Sequence, residues 1–101
     1  MGIELELRQR NTVVRRSYEH GETLALALDT LVPPGQGRLS QIDPYRDTRF
    51  TEQDARAALP EVAALVDQCT SPFQQAALLD LAEMLTACAE TPGGCLWFIG
   101  D

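Results

Sequence analysis

The chain has 101 residues, enough for one hydrophobic core and too few for two, so a single domain over 1–101 is expected. Its formal net charge is −7, from eight basic and fifteen acidic residues. That balance disfavours nucleic acid and anionic membranes as partners and favours a basic protein.

From the N-terminus, Ile3-Glu4-Leu5-Glu6-Leu7-Arg8 alternates apolar and charged side chains, the period-two mark of a strand with one wet face. Gln9-Arg10-Asn11-Thr12 offers a turn, and Thr12–Arg16 reads as the returning strand of a hairpin. This places Arg8, Arg10, Arg15 and Arg16 near one another. A phosphate-binding patch is one use of them; cross-strand pairing with Glu4 and Glu6 is the preferred one. Ser17–Gly21 is a connector. Glu22–Val32 is rich in Ala and Leu at helical spacing, with Leu26 out of register and a strand over 23–28 as the alternative. Pro33–Gly37 ends it. Leu39–Ile42 is a short strand candidate, Asp43–Asp47 a turn by composition, and Thr48–Phe50 an extended lead into Thr51.

Residues 51–91 hold most of the core-forming side chains as two helices. Thr51 with Asp54, and Ser71 with Pro72 and Gln74, are N-terminal capping boxes. Ala55, Leu59, Val62, Val66 and Cys69 form one stripe, widened by Ala58, Ala63 and Leu65. Phe73, Ala77, Leu81, Met84, Leu85 and Cys88 form the other, with Leu78 beside them. Pro60 lacks an N–H and predicts a kink, or a break with the helix restarting there. Thr91-Pro92-Gly93-Gly94 stops the second helix, and Cys95-Leu96-Trp97-Phe98-Ile99 predicts a central strand. The expected class is α+β: a small antiparallel or mixed sheet, built from an N-terminal hairpin, short central strands and a C-terminal strand, packed by about three helices on one face.

The Ile42–Thr48 segment, with its Asp43-Pro44-Tyr45 turn, and the ending Phe98-Ile99-Gly100-Asp101 resemble those of small uncharacterised bacterial proteins of about this length. The resemblance spans the chain and implies no established activity. Exclusive use of arginine among the basic residues agrees with a GC-rich bacterial source.

Candidate chemistry is sparse. Tyr18, Glu19, His20 and Glu22, with Asp43, Tyr45 and Asp47, form the densest polar group; a solvated loop before a helix is preferred over a general base or a weak metal site. Cys69, Cys88 and Cys95 form no even disulfide set and no CxxC pair, so no metal or cofactor is expected, and buried thiols point to a reducing compartment. An opening of alternating charges is no secretory leader, no run approaches membrane-spanning length, and a cytoplasmic location is expected. Residues 51–101 carry Arg56 alone against eight acids, whereas residues 1–50 are balanced. The expected function is therefore a non-enzymatic protein-binding accessory protein, an immunity- or antitoxin-type inhibitor of a basic partner such as a toxin domain. The expected contact residues are Glu61, Asp67, Asp80, Glu83, Glu90 and, as an aromatic anchor, Trp97. Two alternatives stand beside it: a small enzyme or ligand-binding domain of a biosynthetic cluster, and a structural homodimer joined through the last strand.

Overall fold

The computed structural model describes residues 2–100; Met1 and Asp101, the last residue of the Phe-Ile-Gly-Asp ending, lie outside them. Strands β1 (Ile3–Gln9) and β2 (Thr12–Ser17) lead into α1 (Gly21–Leu31) and a 3-10 turn (Leu39–Gln41). Strand β3 (Thr48–Phe50), helices α2 (Glu52–Gln68) and α3 (Pro72–Glu90), and strand β4 (Gly94–Gly100) complete the order. Among the described residues the strands form one antiparallel sheet in the order β2-β1-β4-β3. The three helices cover one face, α3 lying on β1 and β4 and touching both α1 and α2.

The hairpin forms as its alternation dictates. Its two turn residues, Arg10 and Asn11, both sit in the left-handed region at φ 52° and 67°, the backbone of a mirror-image two-residue turn that follows the strand twist. Val14 is an extra residue: Arg8 pairs Val13 and Leu7 pairs Arg15, so the strand bulges between them. The bulge turns Arg15 and Ser17 to the helical side. There Arg15 meets Glu83 of α3, and the Ser17 hydroxyl donates to Asp80. The preferred cross-strand charge pairing is thus corrected. The ion pairs run along β1, from Arg8 to Glu6 at 2.7 Å, and across to α3, from Arg15 to Glu83 at 3.4 Å.

Helix α2 opens on a reciprocal capping box between Thr51 and Asp54. It then runs unbroken through Pro60, so the restart at Pro60 is not what forms. Pro60 is exposed, and the carbonyl its ring leaves without a helical donor, that of Arg56, belongs to an exposed residue that water can reach. At α3 only half the expected box is present: Ser71 accepts the Gln74 N–H, while the Gln74 side chain lies 3.8 Å from the Cys69 sulfur instead. Phe73, expected on the buried stripe, is 78% exposed, because the first turn of α3 has nothing over it. Leu39–Ile42 is a 3-10 turn rather than a strand. The mid-chain strand is Thr48–Phe50, recruited by the open edge of β4.

The core is one layer between sheet and helices. Ile3, Leu5 and Leu7 of β1 and Leu96 and Phe98 of β4 meet Ala77, Leu78, Leu81, Met84, Leu85 and Cys88 of α3. Phe50 and Phe98 pack edge to face with centroids 4.7 Å apart, an arrangement favoured by the ring quadrupoles. None of the described helices is long and apolar enough to cross a membrane.

Candidate functional site

Layering sorts the charges. Glu22 and Asp29 lie on α1, Glu52, Asp54, Glu61 and Asp67 on α2, and Asp80, Glu83 and Glu90 on α3, against Arg56 alone. Several of these carboxylates are committed internally. Glu52 accepts the Gly93 N–H at 2.7 Å. Asp54 closes its capping box and pairs with Arg38 at 2.8 Å. Glu61 accepts the main-chain N–H groups of Arg38 and Leu39, each at 3.0 Å. Asp80 holds Ser17.

The outward acids among the expected contact residues are therefore Asp67, Glu83 and Glu90. Glu83 keeps only the Arg15 contact, between side chains 69% and 48% exposed. Such a pair is worth about 0.2–1 kcal/mol, so it holds the Glu83 carboxylate only weakly. Glu83 and Glu90 line one shallow groove of about 720 Å³ on the outer side of α3, together with Leu79, Ala82, Thr86, Ala87 and, from β2, Arg15. Leu79 is 51% exposed, so the groove combines an apolar end with the Glu83 and Glu90 carboxylates, the first of them already holding Arg15. Spacing produces this: residues 79, 83, 86 and 90 follow three- and four-residue steps along one helix face, opposite the buried face of Leu78, Leu81, Leu85 and Cys88.

Trp97 does not join that surface. In β4, Phe98 faces the core and Trp97 the opposite side, half-buried on the sheet face that the helices leave open. The Arg8 guanidinium lies 4.9 Å from the centre of its ring. Arg8 also binds Glu6, whose carboxylate accepts the Tyr18 hydroxyl. The Tyr18 hydrogen bond, then that from Arg8, hold the Glu6 carboxyl below its ordinary range, and the same contact raises Tyr18.

The Tyr18–Asp47 group is not assembled as one site. Tyr18 is engaged by Glu6 on the sheet. His20 is the N-cap residue of α1 and makes no side-chain cap bond. Asp43 accepts the N–H of Tyr45 at 2.9 Å, an Asx turn that folds it onto its own loop. Glu22 and Tyr45 do come together, with Leu26, Asp29 and Pro44, at a small depression on α1. Among the described residues no three His, Cys, Asp or Glu side chains gather as a metal-binding group.

Two features escaped the sequence. The groove on α3 depends on Leu79, whose outward position follows from the helical register once the inward stripe is fixed. The depression bordered by Arg8, Arg10, Arg49 and Trp97 depends on β3 pairing with β4, for which the chain carries no local signal. No family model, curated sequence or solved structure matches the chain.

Proposed function

We propose that the chain is a non-enzymatic accessory protein that binds and blocks a basic protein, an inhibitor of the immunity or antitoxin type, acting from the cytoplasm. The main support is the α3 groove, where the exposed Leu79 at one end is followed along the helix by Glu83 and Glu90, with Arg15 on Glu83 as its one cation among the described residues. An exposed apolar side chain displaces water at contact, and the neighbouring carboxylates steer encounter. Asp67 and the α1 acids Glu22 and Asp29 extend the negative field over the helical layer. Arg56, the one cation on the helices, donates to the Ala89 carbonyl at 3.0 Å, and Arg15 and Arg38 reach the layer only as partners of Glu83 and Asp54. A basic partner approaching this layer meets attraction at long range and Leu79 at contact.

The test is capture of the partner from the native host by the tagged full chain at low salt, followed by binding measurements with the Leu79→Asp and Glu83→Arg/Glu90→Arg variants. The expected result is a basic partner whose affinity falls with both changes. An acidic partner, or a basic one that binds both variants as well as the wild type, contradicts the proposal.

A further inference from the structure

The sheet face turned away from the helices carries Glu4 and Glu6 toward one end and gathers arginines toward the hairpin turn. Arg8 of β1, Arg10 at the hairpin turn and Arg49 of β3 line a depression of about 400 Å³ whose remaining walls are Asn11, Val13, Gly93, Cys95 and Trp97. No carboxylate lines it, in a chain of net charge −7. We propose that this depression binds a nucleoside phosphate, with its phosphates on Arg10 and Arg49 and its base against the Arg8 guanidinium and Trp97.

Four observations carry this. First, Arg10 and Arg49 form no ion pair among the described residues, so two guanidiniums share one concavity without a counter-charge, an arrangement an anion relieves. Second, Arg10 holds φ 52°, a left-handed backbone that disfavours an arginine and suits Gly or Asn. The turn keeps a strained residue whose side chain borders the depression. Third, Trp97 is the direct cross-strand partner of Arg49 and lies beside the Arg8 guanidinium, which puts a planar ring next to the cations. Indole faces and guanidinium planes both stack on bases. Fourth, the volume falls within the range of small-molecule sites.

The ligand class is set by the donors. Guanidinium forks bind phosphate oxygens in pairs, and with Arg8 already held by Glu6 at 2.7 Å, the two uncompensated cations Arg10 and Arg49 match a diphosphate better than the single charge of one carboxylate. The site lies on the opposite layer from the α3 groove, so it stands or falls independently of the inhibitor proposal.

Trp97 is the only tryptophan in the chain, so its fluorescence reports on the site directly. The full chain is titrated at low salt with ADP, adenosine and inorganic pyrophosphate, with correction for ligand absorbance. ADP is expected to change the emission saturably, with adenosine and pyrophosphate each about tenfold weaker or more, since each lacks one half of the recognition. Arg49→Gln and Arg10→Gln, whose circular dichroism should match the wild type, are each expected to weaken ADP by about tenfold through loss of a charge-assisted contact. Absence of a saturable change at millimolar ADP overturns the proposal. So does ADP binding that both substitutions leave intact, and so does pyrophosphate binding as tightly as ADP, which would mark a simple anion patch.

Discussion

The Glu61 carboxylate on α2 accepts the main-chain N–H of Leu39, 3.0 Å away, across twenty-two residues of sequence. With the second bond, from Arg38, it closes the 3-10 turn that carries the chain from α1 toward β3. A β-carbon at Gly37, where φ is +74°, would come within 2.5 Å of the same carboxylate. The acid that charge alone would assign to a partner is a clamp on the fold.

Glu61→Ala leaves two loop donors without their acceptor and is expected to lower stability by about 2–3 kcal/mol. Gly37→Ala, with an unfavourable φ and a crowded carboxylate, should lower it by about 1–2 kcal/mol. Urea unfolding of both single variants and the double checks this. The double should fall short of the sum, since both changes act on one carboxylate.

The two helix caps should separate in the same assay. Thr51 shares a reciprocal box with Asp54, whereas Ser71 caps α3 by its hydroxyl alone. Thr51→Ala is expected to cost about 1–2 kcal/mol and Ser71→Ala about 0.5–1 kcal/mol. Alanine keeps the Thr51 N–H that Asp54 accepts, so equal losses would mean that the second bond of the Thr51 hydroxyl, donated to the Asp54 carboxylate at 3.0 Å, contributes nothing.

Acid should destabilise the fold through two named groups. Tyr18 and then Arg8 lower the Glu6 carboxyl from its ordinary 4.5, and the Thr51 N–H, helped by the Thr51 hydroxyl and Arg38, lowers Asp54 from 3.8. A group lowered in the folded state binds fewer protons there than in the unfolded chain. Its stabilisation is complete above the unfolded value and is lost as pH falls through the folded one. Tm should therefore be flat above about pH 5 as far as these groups are concerned, and should fall below it. Tyr18→Phe removes the largest influence on Glu6 and should make that fall shallower; an unchanged acid limb would assign it to other carboxylates.

The cysteines should react in two classes. Cys88 is fully buried, and burial, with Cys95 nearby, pushes its thiol up to about 11, while Cys69 and Cys95 are half-buried. A thiol reagent at neutral pH should label Cys69 and Cys95 first and Cys88 only at the rate of unfolding. Ionisation of Cys88 in the unfolded chain also makes the fold lose stability as pH rises from about 9 toward 11, a loss that Cys88→Ala should remove.

How much of this is legible in the sequence depends on the range of the interaction. The β1 alternation, the Thr51 box and the Ser71–Pro72 start are local signals, and the structure keeps them. The Leu39–Ile42 turn reads as a strand because four residues carry no period, and what decides it is a distant carboxylate, Glu61. Phe73 has helical spacing but sits one turn beyond the layer it would have to reach, so spacing alone puts it inside. Trp97 and Phe98 have to face opposite ways, and they do, but which ring meets the core depends on register with β1. The acidity of the second half is plain; which carboxylates the fold consumes is not, since Glu52, Glu61 and Asp80 bind groups far along the chain.

The most direct measurement on the central proposal is the association rate of the captured partner with wild type and with Glu83→Arg/Glu90→Arg, each at low and at physiological salt. The wild-type rate should fall steeply as salt rises, and the double variant should bind about tenfold more slowly at low salt with little further dependence on it. A rate indifferent to both salt and charge reversal would contradict a partner steered by the helical layer.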